Sequence, residues 1–171
     1  MSRRARSLHL MKVFLNAIVV VSIWQYSAHA ASSDAQNATP SSQEAEGAIF
    51  QRQQDMKQLD TDAKALGDIV AGQLPPDKLP AVTQAIAQDA KDARDDFQSK
   101  IPGGRAKPEV WSNWTDFSQR MDDFAARTAA MAKLGQSEDL GGIINVMVDA
   151  LPCKQCHDLY RKPKPAPETE P

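Results

Sequence analysis

The chain is poor in the side chains that bind metals: it has two cysteines and three histidines in 171 residues. His9 and His29 fall within the first thirty residues, which leaves His157 as the one imidazole further along. A structural zinc site usually takes four thiolate or imidazole ligands, and beyond residue 30 only Cys153, Cys156 and His157 are on offer. No nucleophile and base pair is recognisable, so an enzyme is not expected. Aromatic residues are scarce at 6%, no segment reads as a strand, and Ala, Gln, Asp and Lys abound among scattered Leu, Ile and Met, a mixture that suits helices. Positive charge is not in excess either. The formal net charge is -2, which disfavours nucleic acid as a partner, because that binding is driven by basic side chains releasing counterions. A chain of this length suits one domain.

The first thirty residues read as a targeting segment. Arg3, Arg4 and Arg6 open it, an apolar run from Val13 to Trp24 follows, and Ala28-His29-Ala30 supplies small residues at a cleavage site. We expect a signal peptide over 1–30 and a periplasmic mature protein. An uncleaved anchor is the competing reading, but the run is short and interrupted by Asn16 and Ser22, and no other stretch suits a membrane span. Loss of the leader's four positive charges moves the formal balance to about -6, so an acidic mature protein and a partner with a basic docking face are expected. Residues 31–42 lack an apolar period and read as a flexible lead-in. Residues 162–171, rich in Pro, Lys and Glu, read as a disordered tail.

Both cysteines stand in Cys153-Lys154-Gln155-Cys156-His157. Two thiols three positions apart on a helix point to one side, where they can add to the two vinyl groups of one porphyrin, and the next residue offers an imidazole to the iron. This is the attachment pattern of a c-type haem, a chemistry carried out in bacteria outside the cytoplasm, in accord with the leader. A redox disulfide usually sits in a strand and helix fold that this chain does not offer, and a plain disulfide needs no histidine beside it. With His157 alone in the mature chain, a bis-histidine haem within one chain is excluded.

Apolar spacing outlines four helices. The first runs from about Glu44 to Gln73 with Ile49, Met56, Leu59, Ala63, Leu66 and Val70 on one face, a series that stays in step only if Arg52 is counted in it. Leu74-Pro75-Pro76-Asp77 closes it. The second begins near Asp77, turns Leu79, Val82, Ile86, Ala90, Ala93 and Phe97 inward, and ends before Ile101-Pro102-Gly103-Gly104. Pro108 suits the first turn of the third, whose stripe of Val110, Trp114, Phe117, Met121, Phe124, Thr128 and Met131 is expected to be mostly core, with some rings walling the haem. Gly135 marks its end. The fourth runs from about Ser137 to Tyr160 with Leu140, Ile144, Met147 and Leu151 inward and a kink at Pro152. The expected fold is all-α: an antiparallel up-down-up-down four-helix bundle over residues 43–161, with its covalent haem near the C-terminus of the last helix.

Arg52 occupies a seam position where a bundle wants an apolar side chain. A charge turned inward needs a partner, and a haem propionate would serve as one through a bidentate fork. Alternatively, Arg52 lies near the open end and snorkels to water. Met56 follows one turn later on the same face. If its thioether binds iron, the site is six-coordinate and suits electron transfer; if it only packs over the iron, the site stays five-coordinate and takes gases such as nitric oxide or carbon monoxide; or it simply fills a gap in the core.

Arg52-x-x-x-Met56, Trp111 with Phe117, and Cys153-x-x-Cys156-His157-x-x-Tyr160-Arg161 together resemble the class II c-type cytochromes, the cytochrome c-prime group, over about residues 43–161. Pro152 departs from the residues usual before the first cysteine. The resemblance implies one haem c per chain, attached through Cys153 and Cys156 and ligated by His157, with Arg52 toward a propionate and Tyr160 and Arg161 at the cofactor. Residues at the place of Met56 either ligate or block in that group, so the choice stays open. Our main expectation is ligation by Met56 in its low-spin branch and an electron carrier between redox proteins, with the five-coordinate gas binder as the alternative. Homodimers are common in the group, and Ala81, Ala85 and Ala87 would permit close packing.

Overall fold

The computed structural model describes residues 39–165. The leader assigned to residues 1–30, the lead-in up to residue 38 and the tail from residue 166 lie outside the described residues. Helices α1 (Ser42–Val70), α2 (Leu79–Asp96), α3 (Glu109–Ser112), α4 (Trp114–Gln136), α5 (Leu140–Ala150) and α6 (Cys153–Tyr160) follow one another, with a 3-10 turn over Pro76–Lys78. They make the four arms of the expected bundle, the third being α3 with α4 and the fourth α5 with α6. Among the described residues there is no strand, only an isolated antiparallel bridge between Ala106 and Arg161.

Local chemistry starts and stops these helices. Ser41 and Glu44 form a reciprocal capping box at the head of α1: the Glu44 amide donates to Ser41 Oγ at 3.3 Å, and the Ser41 amide to Glu44 Oε2 at 2.8 Å. Asp139 caps α5 by accepting from the Gly142 amide at 2.8 Å. Gly135 is not the end of the third arm, for α4 continues to Gln136. It is buried where α4 crosses α2, and a Cβ there would meet Thr83 Oγ1 at 1.9 Å. Glycine at this position is a demand of close helix contact. Thr83 and Thr128, both fully buried, satisfy their hydroxyls on the carbonyls of Leu79 (2.8 Å) and Phe124 (2.9 Å).

Two apolar clusters fill the bundle. Leu59, Leu66, Ile86, Met131 and Ile143 belong to the larger; Val110, Phe117, Met121 and Tyr160 belong to the smaller, with Met56 packed against both. Each fully buried Leu or Ile contributes about 1.5–3 kcal/mol of transfer free energy. The expected stripe of α4 lies inward as read, except that Trp114 is only half-buried. On the fourth arm the phase differs: Ile143 and Ala150 are buried, whereas Ile144 is 46% exposed. A single eleven-residue helix starting at the Asp139 cap has turned by about one residue from the face read for a continuous helix.

On the outer seam of α1 and α2, Asp62 meets Asp89 and Asp55 meets Asp96, and one carboxyl oxygen of each of Asp55, Asp89 and Asp96 is buried without a partner. Burial and the facing carboxylate push Asp89 up to about 7 and Asp96 up to about 6. Folding therefore favours the protonated forms. The stability they provide is complete below the ordinary carboxylate range near 3.8 and is lost as pH rises through 6 to 7. Asp89→Asn is expected to raise the melting temperature at pH 8 by about 2–4 °C, a modest figure because Asp89 is partly exposed and screened. At pH 5 the gain shrinks; thermal unfolding at both values checks this.

Candidate functional site

The expected kink at Pro152 is a full break. α5 ends at Ala150, Leu151 is non-helical, and Pro152 stands just before α6, where its missing amide costs nothing. The eight residues of α6 carry the whole attachment motif. Cys153 is exposed, Cys156 half-buried, and both are free thiols, contrary to a disulfide. Partial burial holds both thiols above their ordinary pKa, with Arg120 pulling Cys156 the other way, so they are protonated at neutral pH. Burial, then Arg161 and Arg105, push His157 below its usual range. Its imidazole is neutral, the form that donates a lone pair to a metal.

Such a short helix cannot hold itself in place. Residues 105–107 clamp its end: the Lys107 amide donates to the Tyr160 carbonyl at 2.9 Å, the Lys162 amide to the Arg105 carbonyl at 2.8 Å, and Lys107 Nζ to the Asp158 carbonyl at 2.8 Å. The Arg105 guanidinium donates twice to the Lys162 carbonyl, at 3.1 and 2.8 Å. Tyr160 is the inner anchor. Its buried ring packs edge-on against Phe117 at 5.1 Å, its hydroxyl donates to Asp116, and Asn113 Nδ2 donates to that hydroxyl at 3.2 Å. Asp116 also takes Arg120 Nε at 2.6 Å. Tyr160→Phe is expected to lower the melting temperature of the haem-loaded protein by about 2–4 °C, measured by thermal unfolding.

Two hollows meet along a wall of Met56, Met121, Cys156 and His157. The larger, about 720 Å³, is lined by Arg52, Phe97, Phe117 and Tyr160, with Lys57, Arg105, Arg161 and Lys164 toward its rim. The smaller, about 140 Å³, adds Leu59, Phe124, Pro152 and Cys153. Arg52 is only 5% exposed, so it does not snorkel. Its Nη1 donates to the Ile101 carbonyl at 2.7 Å, its guanidinium lies 4.8 Å from the Phe97 ring centre and 5.5 Å from that of Trp111, and its Nη2 is buried with no partner. That orphaned donor is the strongest sign of an absent anion. Apolar walls, two thiols, a neutral imidazole and a buried cation in want of a carboxylate fit a porphyrin with propionates.

The sequence reading missed Asp116, Arg120 and the clamp of Arg105 and Lys107. Asp116 and Arg120 stand four apart on one helix, a spacing that signals an ion pair, but nothing local points to Tyr160. The walls Leu59 and Met121 were read only as core, whereas Phe124 belongs to the stripe whose rings were expected in part to wall the haem.

Fold and site together define a helical-bundle c-type cytochrome whose haem is anchored at the end of the last arm. The profile of the family described as Cytochrome C' matches residues 47–161, and the chain belongs to that family. The cytochrome c' of Alcaligenes xylosoxydans xylosoxydans is 33% identical over 69 residues, which cover 40% of this chain and 54% of that protein; the match thus spans about half of that relative. The ferric cytochrome c prime of Alcaligenes xylosoxidans superposes with a TM-score of 0.65 at 26% identity, over 70% of this chain and 97% of that one. A nitric oxide complex of a variant of that protein matches with the same TM-score, identity and coverage. Membership brings one covalently attached haem c per chain.

These relatives overturn the main functional expectation. They are cytochromes c prime, including a nitric oxide complex, and they support the five-coordinate gas binder over an electron carrier with Met56 as iron ligand. Met56 packs against both core clusters and lines both hollows together with Met121, Cys156 and His157.

Proposed function

We propose that this protein is a five-coordinate haem protein that binds nitric oxide and carbon monoxide in the periplasm, the segment over 1–30 serving as its export signal. Cys153 and Cys156 hold the haem through thioethers, His157 ligates the iron, Arg52 pairs with a propionate, and Tyr160 and Arg161 border the cofactor. The iron supplies an open position at which a diatomic gas binds. The chain's residues do the rest: Met56, Leu59, Met121 and Phe124 line the hollow beside His157 with apolar surface, Arg120, Asp123, Arg127 and Gln155 lining it too, and neutral His157 is kept in position by the clamp on α6. The observation that supports this reading is the match to the Cytochrome C' family over residues 47–161, together with the nitric oxide complex of a similar protein. Among the described residues no helix is long and apolar enough to cross a membrane.

The test is the optical spectrum of the purified haem-loaded protein at neutral pH, ferric and ferrous, with and without carbon monoxide. A high-spin spectrum and a carbon monoxide difference band of about one gas per haem are expected. A low-spin spectrum that carbon monoxide leaves unchanged would overturn the proposal.

A further inference from the structure

The chain is acidic, yet its cations are unevenly used. Among the described residues every ion pair draws on Lys64, Lys91, Arg94, Arg120 or Lys154. Lys57, Arg105, Lys107, Arg161, Lys162 and Lys164 have no acidic partner there, and four of them line the large cleft, with Asp60 as the one carboxylate among them. The carboxyls of Asp55, Asp62, Asp89 and Asp96 gather elsewhere, on the seam of α1 and α2. The cleft mouth therefore carries a local excess of positive charge.

The backbone enforces this arrangement. The bridge between Ala106 and Arg161, flanked by the amide bonds of Lys107 to Tyr160 and Lys162 to Arg105, sets Arg105 across from Lys162 with Lys107 on the same face, and brings Arg161 into the same two-segment unit. Like charges held together repel, and the repulsion is relieved when an anion joins them. Two haem propionates neutralise part of the collar, and Arg52 inside the cleft already offers them one cation. Several charges at the rim remain over. Carbon monoxide binds only ferrous iron, so a gas binder of this type needs a reductant to reach its cleft.

We propose that the collar of Lys57, Arg105, Lys107, Arg161, Lys162 and Lys164 is the docking surface for an acidic one-electron donor protein that reduces the ferric haem to the ferrous, gas-binding state. The inference rests on the gas-binding reading. One electron passes from donor to iron; the donor is oxidised by one electron, and no bond or proton moves. A convex acidic face fits a concave mouth rimmed with cations, whereas an anionic membrane plane also meets the negative remainder of the molecule.

The test uses the mature haem-loaded protein and reduced flavodoxin, an acidic one-electron donor, in stopped flow across ionic strength. The second-order reduction rate is expected to fall at least about ten-fold from low to high salt. Lys162→Glu with Lys164→Glu is expected to lower it by a similar factor at low salt, whereas Lys64→Glu with Lys91→Glu leaves it within about two-fold. Calorimetry with oxidised flavodoxin reads docking without electron transfer and is expected to show the same loss. A rate indifferent to salt, a reversal without effect, or sedimentation of the wild type with phosphatidylglycerol vesicles in place of flavodoxin binding overturns the proposal. The carbon monoxide difference spectrum, taken on the same samples after chemical reduction, separates this failure from failure of the gas-binding reading.

Discussion

Cys153→Ala with Cys156→Ala is expected to abolish covalent haem: the purified chain shows the mass of the polypeptide alone, and acid acetone extracts close to all of any pigment. Each thioether forms when a thiol adds across one vinyl group, sulfur to the inner carbon and hydrogen to the outer. Both cysteines lie on one turn of α6 and are free thiols, as the addition requires. His157 survives the change, but one imidazole bond is no substitute for two carbon–sulfur bonds. Lost haem also leaves Arg52 Nη2 without a partner in a hollow of about 720 Å³, so a lower melting temperature accompanies the loss. Pigment that resists extraction from the double variant would show that the attachment lies elsewhere.

Met56→Ala is expected to leave the ferric spectrum high-spin while raising the carbon monoxide association rate by about ten-fold or more. The thioether chain is part of the wall between the two hollows, and its removal joins them into one larger apolar space. A ligand approaching the iron then no longer waits for that side chain to move aside. The same variant discriminates between the two roles of methionine: were Met56 an iron ligand, the wild type would be low-spin and the variant would switch. Some stability is lost, toward the lower end of the ~2–5 kcal/mol seen for Met→Ala in cores, since Met56 is only partly buried. Flash photolysis gives the rate and the ferric spectrum the spin state.

Much of the bundle was legible because helical periodicity is a local property. The third-arm stripe from Val110 to Met131, apart from half-buried Trp114, and the α2 face from Leu79 to Ala93 lie inward as their spacing implies. Arg52, counted into an apolar seam, is indeed buried. Periodicity failed where a helix broke. Pro152 ends one helix and starts another, and on the short helix before it Ile143, not Ile144, faces the core. Gly135, read as a stop signal, lies one residue before the end of α4 and also serves the contact with Thr83. Net charge is a sum over the whole chain and says nothing of where the charges lie: four cations, Lys57, Arg105, Arg161 and Lys164, line the large cleft with Asp60 as the one carboxylate.

Residues 153–157 by themselves determined that this chain binds a c-type haem near its end, because two thiols and an imidazole on adjoining turns of one helix need no distant partner to declare their chemistry. Only the tertiary structure decided what surrounds that haem. Tyr160 reaches Asp116 across 44 positions, Arg52 reaches Ile101 across 49, and Arg105 reaches Lys162 across 57. The period of a helix records which face is apolar and nothing of which helix covers it, so the buried guanidinium, the clamp on α6 and the ring of cations came into view only when the arms were packed together.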